Sequence, residues 1–217
     1  LDEGRSWSMP VDVEPSDGPE ASYAVLLKHP DTPRVFAFYN HNTDRLKTVK
    51  IEDDSDPRGY ITRVDSLGYF VFKFSDDHGK SWSEKRFTIP VRETEIDRTN
   101  IYGGKIRFFW NVGRAFAHEG AAYVPLIKVG AFGHGFFLRN EGVLLKSEDL
   151  LTVNDPADAH WEMLPDGEIG LRAPEGGGLI AGEQSYSVLS DGSIFAVYRT
   201  IDGHPTCTYS RDGGHHW

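Results

Sequence analysis

The strongest constraint on the fold is a short pattern, Ser-x-Asp-x-Gly-x-x-Trp, which occurs more than once in the chain. Residues 75–82 and 210–217 are intact copies, and residues 1–7 are a copy without its serine. A looser copy spans 147–161, so that it has 15 residues where the intact copies have eight. Four of the five tryptophans in the chain end a copy. Such a repeat predicts a fold assembled from similar units.

Each position of the pattern has a physical reason to be there. An aspartate carboxylate can accept hydrogen bonds from backbone N–H groups of its own turn. Glycine allows the positive φ that a tight turn requires. A tryptophan at the start of the next strand can pack back over the open end of the hairpin. The pattern therefore predicts a turn that is stabilised by its own residues and joins two strands.

The segments between the copies predict strands. They are short runs rich in Val, Ile, Phe and Tyr, bounded by Gly, Asp and Pro. Residues 23–42, 114–129 and 184–200 each indicate a strand, a turn and a second strand, and in each unit a third run leads into the next copy of the pattern. Residues 130–141 are expected to be a loop. No long stretch has the 3.6-residue period of a helix, so an all-β fold is predicted.

The repeated turns resemble the Asp boxes, or BNR repeats, of the sialidase-type β-propellers. The resemblance spans the whole chain, with boxes near 1–7, 75–82, 147–161 and 210–217. It implies that residues 1–217 form one partial propeller domain of about three blades, from a six-bladed propeller in a longer protein. In that family each box joins the third and fourth strands of a blade, on the face away from the active site. The box aspartates are therefore expected to be structural: Asp2, Asp77, Asp149 and Asp212.

Blade topology also indicates where a ligand would bind. Because the boxes occupy one face, a site should use the ends of second strands and the connections into first strands. These segments combine polar and aromatic residues, a mixture suited to sugars. The candidate substrate-binding residues there are Asn40, His41, Asp44, Arg45, Trp110, Arg114 and Arg199, and Lys128 is expected at the same face.

Glu183 and Arg199 form the sharpest pair, because an antiparallel hairpin places them at the same end of two strands. The spacing alone fits a structural ion pair as well as a site. The resemblance implies that Glu183 is catalytic, raising the basicity of a tyrosine nucleophile, and that Arg199 belongs to a triad that holds the sugar carboxylate. The nucleophile, the acid and the other two arginines would lie outside residues 1–217, so the chain alone is expected to be inactive.

The resulting hypothesis is a sialidase-like exo-glycosidase that hydrolyses a terminal acidic sugar. One alternative is a uronate-directed lyase, or another propeller glycosidase, that uses His41 as a general base, since its ordinary pKa lies near neutrality. Another is a propeller that binds glycans without catalysis. In each case the partner is a glycan, and the resemblance implies a secreted or periplasmic protein.

Composition excludes other classes. The net charge of −10 argues against a nucleic-acid surface, and no apolar run is long enough to span a membrane. A single cysteine permits no intramolecular disulfide. No cofactor or metal is expected: residues 52–58 are acidic but fit a solvated loop better than a calcium site, and His215 and His216 would point to opposite faces of a strand.

Overall fold

The computed structural model describes residues 3–133, 136–174, 182–201 and 203–217, without the side chains of 136–138. It contains 40% strand and 3% helix, so the predicted all-β class is confirmed. Asp2 lies outside the described residues. The elements are β1 (Ala21–Lys28), β2 (Val35–His41), β3 (Val49–Lys50), β4 (Tyr60–Ile61), β5 (Tyr69–Ser75), β6 (Phe87–Thr88), α1 (Glu95–Arg98), β7 (Phe108–Trp110), β8 (Phe116–His118), β9 (Ala121–Gly133), β10 (Phe136–Ser147), a 3-10 turn (Pro156–Asp158), β11 (Glu162–Leu164), β12 (Gly182–Val188), β13 (Ile194–Arg199) and β14 (Pro205–Ser210).

Most strands belong to three antiparallel sheets. Sheet I has the order β1-β2-β5-β6, and sheet III has the order β12-β13-β14. In sheet II both β7 and β8 pair with β9, which is followed by β10 and β11. The strands β3 and β4 form a small separate hairpin, and no sheet closes on itself within the described ranges.

Sheet II packs against a neighbouring sheet on each of its two faces. In β2, Phe36 and Phe38 pack against Val124 and Leu126 of sheet II, because successive strand residues point to opposite faces. Sheet II buries its other face against sheet III, through Tyr123, Leu144 and Leu164 on one side and Tyr186, Ile194 and Ala196 on the other. The three sheets therefore stack face to face, with sheet II in the middle.

The repeated turns contain the hydrogen bonds that their sequence predicts. The Asp77 carboxylate accepts the backbone N–H groups of Lys80 and Ser81, both at 2.9 Å, and the Ser81 hydroxyl at 2.6 Å. In two other copies the aspartate accepts hydrogen bonds from the histidine before the tryptophan. Asp149 accepts from the backbone N–H of His160 at 2.8 Å and from its ring Nδ1 at 2.7 Å. Asp212 accepts from the same two groups of His216 at 3.0 and 2.7 Å. These bonds lower the pKa of Asp77 and Asp212, led by Ser81 and His216 respectively.

Backbone conformation shows that the first copy has the same turn. His78 and Gly79 have φ of 64° and 84°, and Glu3 and Gly4, at the same offsets, have 57° and 82°. Trp7 nevertheless does not pack over a hairpin as the pattern predicts, because it is 89% exposed.

The other three tryptophans are partly buried, each on the side of its sheet that faces back along the chain. Trp161 packs edge-on against Phe38 of sheet I, with ring centroids 6.0 Å apart. Trp217 lies in the cluster between sheets II and III and contacts Tyr186 at 5.8 Å. Trp82 packs with Tyr39 on the outer face of sheet I.

Two sequence expectations about loops need correction. Residues 130–141 are mainly strand, because β9 and β10 continue their pairing to Gly133 and Phe136, with buried Ala131 and Phe132 on β9. Trp110, a candidate expected at a strand end or in a connection into a first strand, belongs to β7. The long segment between β2 and β5 folds back with Val49, Ile51 and Leu67 against Phe108, and so covers one end of sheets I and II.

The stacking predicts unequal roles for the tryptophans. Replacing Trp161 with Ala should lower the free energy of unfolding by about 3 kcal/mol, because it leaves a cavity against Phe38 and Phe72 of sheet I. Urea unfolding measures this loss. The matched control is Trp7→Ala, which should change stability by less than about 0.5 kcal/mol. Equal effects of the two changes would contradict the proposed difference in packing.

Candidate functional site

Strand register defines the end of the sheets that lies away from the turns. In each unit the serine that opens the turn pairs with the start of the second strand, as in Val35–Ser75, Ala122–Ser147 and Ile194–Ser210. Asn40 and Arg199 are each five residues further along (35 to 40 and 194 to 199). At about 3.3 Å per residue, this places them roughly 17 Å from the turns. We call this region the far end.

Glu183 and Arg199 meet at the far end of sheet III. Arg199 Nη1 donates to Glu183 Oε1 at 3.1 Å, and the two side chains are 62% and 44% exposed, respectively. Glu183 lies in a bulge of β12 with φ of 55°, a conformation that costs on the order of 1 kcal/mol or more outside glycine. Both residues line a cavity of about 420 Å³, together with Tyr198, Thr200 and His204.

The same bulge occurs in sheet I. Tyr23 has φ of 59° and lies at the position of β1 that corresponds to Glu183 in β12, since the bulges follow the pairs Ser22–Asn40 and Gly182–Arg199. The Tyr23 hydroxyl donates to Asp65 Oδ2 at 2.9 Å and accepts from Arg63 at 2.6 Å. Sequence reasoning missed this residue, because nothing in the local pattern marks the bulge.

Asn40 and Trp110 are at the far end but are buried. Asn40 is 1% exposed, and its amide donates to the carbonyl oxygens of Phe109 and, at 3.3 Å, Asp65. Trp110 is 8% exposed and packs edge-on against Tyr23, with ring centroids 5.8 Å apart. Asn40 therefore ties sheet I to sheet II, and neither side chain is presented to a ligand in this structure.

Lys128 is fully buried and forms an ion pair with the equally buried Asp97 of α1. Its ammonium also donates to the Arg92 carbonyl at 2.7 Å and to Thr94 Oγ1 at 2.8 Å. Burial lowers the pKa of Lys128, and the Asp97 charge opposes that shift. Asp97 also caps α1 by accepting the Thr94 N–H at 2.9 Å, so the pair fixes the short helix against β9. The pair was not predicted, because its partners are 31 residues apart in sequence.

His41 points to the face of sheet I opposite Asn40. It is 3% exposed, and its Nδ1 is 2.8 Å from the Thr43 hydroxyl. Burial lowers the pKa of His41, and the nearby Arg86 lowers it further. His41 is therefore a neutral, enclosed imidazole at pH 7.

Glu14 is an acidic residue on the same face of sheet I as His41. Sequence reasoning missed it, because it lies in a segment without regular structure. Arg86 donates to both of its carboxylate oxygens at 2.7 and 2.6 Å, and the Tyr39 hydroxyl donates to the first. The Lys73 ammonium lies 3.7 Å from Glu14 Oε2 and donates to the Val13 carbonyl at 3.0 Å. Burial would raise the pKa of Glu14, but the hydrogen bonds from Arg86 and Tyr39 outweigh it and lower the pKa from 4.5 to about 2.

The remaining predicted residues are exposed, and none of them lines the cavity at the Glu183–Arg199 pair. Arg114 lies between β7 and β8, and Arg45 has φ of 54° in the loop after β2. Asp44 lines a second cavity of about 420 Å³, formed by other residues at the far end of sheet I. The predicted single cluster is thus divided into an open pair on sheet III, buried residues between the sheets and exposed loop residues.

Arg172 is a further arginine that the sequence analysis did not select. Its side chain is 45% exposed and pairs with Glu141, which is 2% exposed. The Nε group donates to Glu141 Oε1 at 2.6 Å, and the Arg172 carbonyl accepts the Tyr198 hydroxyl at 3.2 Å. It lies in the connection from β11 to β12, so the topological argument applied to all of that connection would have found it.

No protein-family model matches the chain, and no curated protein matches it significantly. Within the described residues, no group of three His, Cys, Asp or Glu side chains has an arrangement that could hold a metal ion. Among those residues there is also no helix with the length and apolar character needed to cross a membrane.

The Glu14 cluster predicts an acid-dependent loss of stability. Because the folded-state pKa of Glu14 is depressed, its contribution is complete above about pH 4.5 and is lost as the pH falls toward about 2. Glu14→Gln should lower the free energy of unfolding by about 2 kcal/mol at pH 7, after allowance for screening by solvent. Urea unfolding from pH 7 to pH 2 measures both proteins. The difference between them should shrink toward zero at the acid end, and a difference that stays constant would contradict the assignment.

Proposed function

We propose that the chain is part of a sialidase-type β-propeller and binds a terminal acidic sugar at the Glu183–Arg199 pair. Three features support the propeller. The sheets stack face to face, sheets I and III run in simple antiparallel order, and in sheets I and II an Asp-box turn connects the third and fourth strands of the unit. The box at residues 210–217 follows β14, the third strand of sheet III. Consecutive blades of a propeller would give a sheet stack of this kind.

The observation that carries the ligand assignment is the exposed guanidinium of Arg199. One of its nitrogens is held by Glu183 at 3.1 Å, and within the described residues the others make no hydrogen bond. The group lines a cavity of about 420 Å³, within the roughly 300–1,000 Å³ typical of ligand pockets. A planar guanidinium matches a carboxylate in two-point geometry, which is the recognition that an acidic sugar requires.

The chain's own residues account for binding better than for turnover. Tyr198 lines the same cavity, but burial raises its pKa and its hydroxyl donates to the Arg172 carbonyl. It is therefore a weak nucleophile near neutral pH. In the proposed enzyme Glu183 activates a tyrosine outside this chain and orients Arg199. An extracytoplasmic location follows from the same resemblance.

The alternative that uses His41 has less support, because the imidazole is enclosed and faces the Glu14 cluster, away from the Glu183–Arg199 pair. A polyuronate incubated with the chain tests it directly, since a lyase creates a double bond that absorbs in the ultraviolet. His41→Ala would abolish that signal if the alternative were correct.

Ligand binding by the 217-residue chain tests the main proposal. Saturation-transfer NMR should detect the methyl glycoside of N-acetylneuraminic acid, and titration should give at least tenfold weaker binding for Arg199→Lys, which keeps the charge but lacks the fork of donors. Glu183→Gln should retain binding or strengthen it, because the substitution removes a negative charge that competes for Arg199.

Arg211→Lys is the matched control, since Arg211 is an exposed arginine in the box at the opposite end of sheet III. It should bind like the wild type. Equal binding by Arg199→Lys and the wild type, or no binding of any acidic glycoside, would refute the assignment. Binding without cleavage of a sialoside by the longer protein would favour the non-catalytic glycan-binding alternative.

A further inference from the structure

A second cavity of about 420 Å³ lies at the far end of sheet I, and we infer that it binds a neutral sugar unit. The lining residues that bear on binding are Asp44, Gly68, Tyr69, Glu93, Lys105 and Arg107. These residues come from the loop after β2, the start of β5 and the segments on either side of α1. All of them lie between positions 44 and 107, away from the Glu183–Arg199 pair in sequence and on a different sheet.

Two buried asparagines hold the loops that form the walls. The Asn42 side chain donates to the Leu46 carbonyl at 2.9 Å and accepts the Leu46 N–H at 3.1 Å, which closes the loop that carries Asp44. Asn100 donates to the Ile106 carbonyl at 2.8 Å and accepts the Tyr102 N–H at 2.8 Å, which closes the loop that carries Lys105. Both asparagines are less than 10% exposed. The walls are therefore fixed before a ligand binds, which reduces the entropy lost on binding.

The floor of the cavity is also fixed. Gly68 has φ of +100°, and a Cβ there would lie 2.2 Å from the His41 carbonyl oxygen, so only glycine permits this approach of β5 to the end of β2. Tyr69 follows it with 40% of its surface exposed. On another wall, Arg107 donates to the Val91 carbonyl at 2.7 Å. The backbone that leads into Tyr69 and the guanidinium of Arg107 are thus held in place.

The polar groups of the lining match a sugar. Asp44 and Glu93 offer acceptors, while Lys105 and Arg107 offer donors, and the four charges cancel. Within the described residues, the side chains of Asp44 and Lys105 make no hydrogen bond or ion pair. A sugar hydroxyl donates and accepts at once, so it can use both kinds of group, and the ring of Tyr69 can cover an apolar sugar face. The cancelling charges favour a neutral ligand over an acidic one.

Titration with methyl β-galactoside and methyl α-glucoside tests the inference on the 217-residue chain. At least one of these neutral glycosides should show saturation transfer and shift the resonances of residues that line the cavity. Asp44→Ala should weaken that binding at least tenfold, because it removes a hydrogen-bond acceptor for the sugar hydroxyls. Tyr69→Ala should weaken it similarly through loss of the stacking ring.

Asp54→Ala is the matched control for Asp44→Ala, since both aspartates are exposed. It should bind like the wild type. The inference is overturned if neither glycoside binds or if Asp44→Ala binds as tightly as the wild type. It is also overturned if serine displaces the sugar, because a zwitterion would then match the charged lining better than a neutral sugar. It does not rest on the proposed acidic-sugar site: Arg199→Lys should leave neutral-sugar binding unchanged, and failure of either site leaves the other testable.

Discussion

The interaction on which the rest of the structure depends is the hydrogen bonding of the turn aspartates Asp77, Asp149 and Asp212. By accepting the N–H groups of its own turn, Asp77 closes the connection between β5 and β6 without help from another sheet. Asp149 and Asp212 do the same through the histidine that precedes each tryptophan. Because these turns form their hydrogen bonds internally, the tryptophan that follows can pack on apolar surface elsewhere. Trp161 packs on Phe38 in this way and so joins sheet II to sheet I.

The opposite end of the sheets is organised by buried polar groups rather than by a repeated turn. Lys128 and Asp97 bring two opposite charges into the interior, where each requires the other because an unpaired buried charge is strongly destabilising. Asn40 adds a hydrogen bond from sheet I to the Phe109 carbonyl of sheet II. These contacts, together with the loop that follows β2, cover the end of two sheets and leave that of sheet III open around Glu183 and Arg199.

Two strained backbone positions also lie at this end. Tyr23 and Glu183 both have positive φ at equivalent bulges, although neither is glycine. Unfavourable backbone of this kind persists only where surrounding contacts hold it, and it is common at functional sites. Tyr23 is held by Asp65 and Arg63, whereas Glu183 has the exposed Arg199 as its partner. The same bulge therefore holds a partly buried tyrosine in sheet I and an exposed glutamate in sheet III.

The sequence by itself determined the all-β class, the three described turns and the meeting of Glu183 with Arg199, because each depends on neighbours in one hairpin or one turn. Local patterns carry that information. Only the tertiary structure decided that Lys128 is buried and Arg199 is open, since burial depends on which distant segment covers a strand end. It also decided that Trp7 is exposed, because a tryptophan is buried only where another surface packs against it.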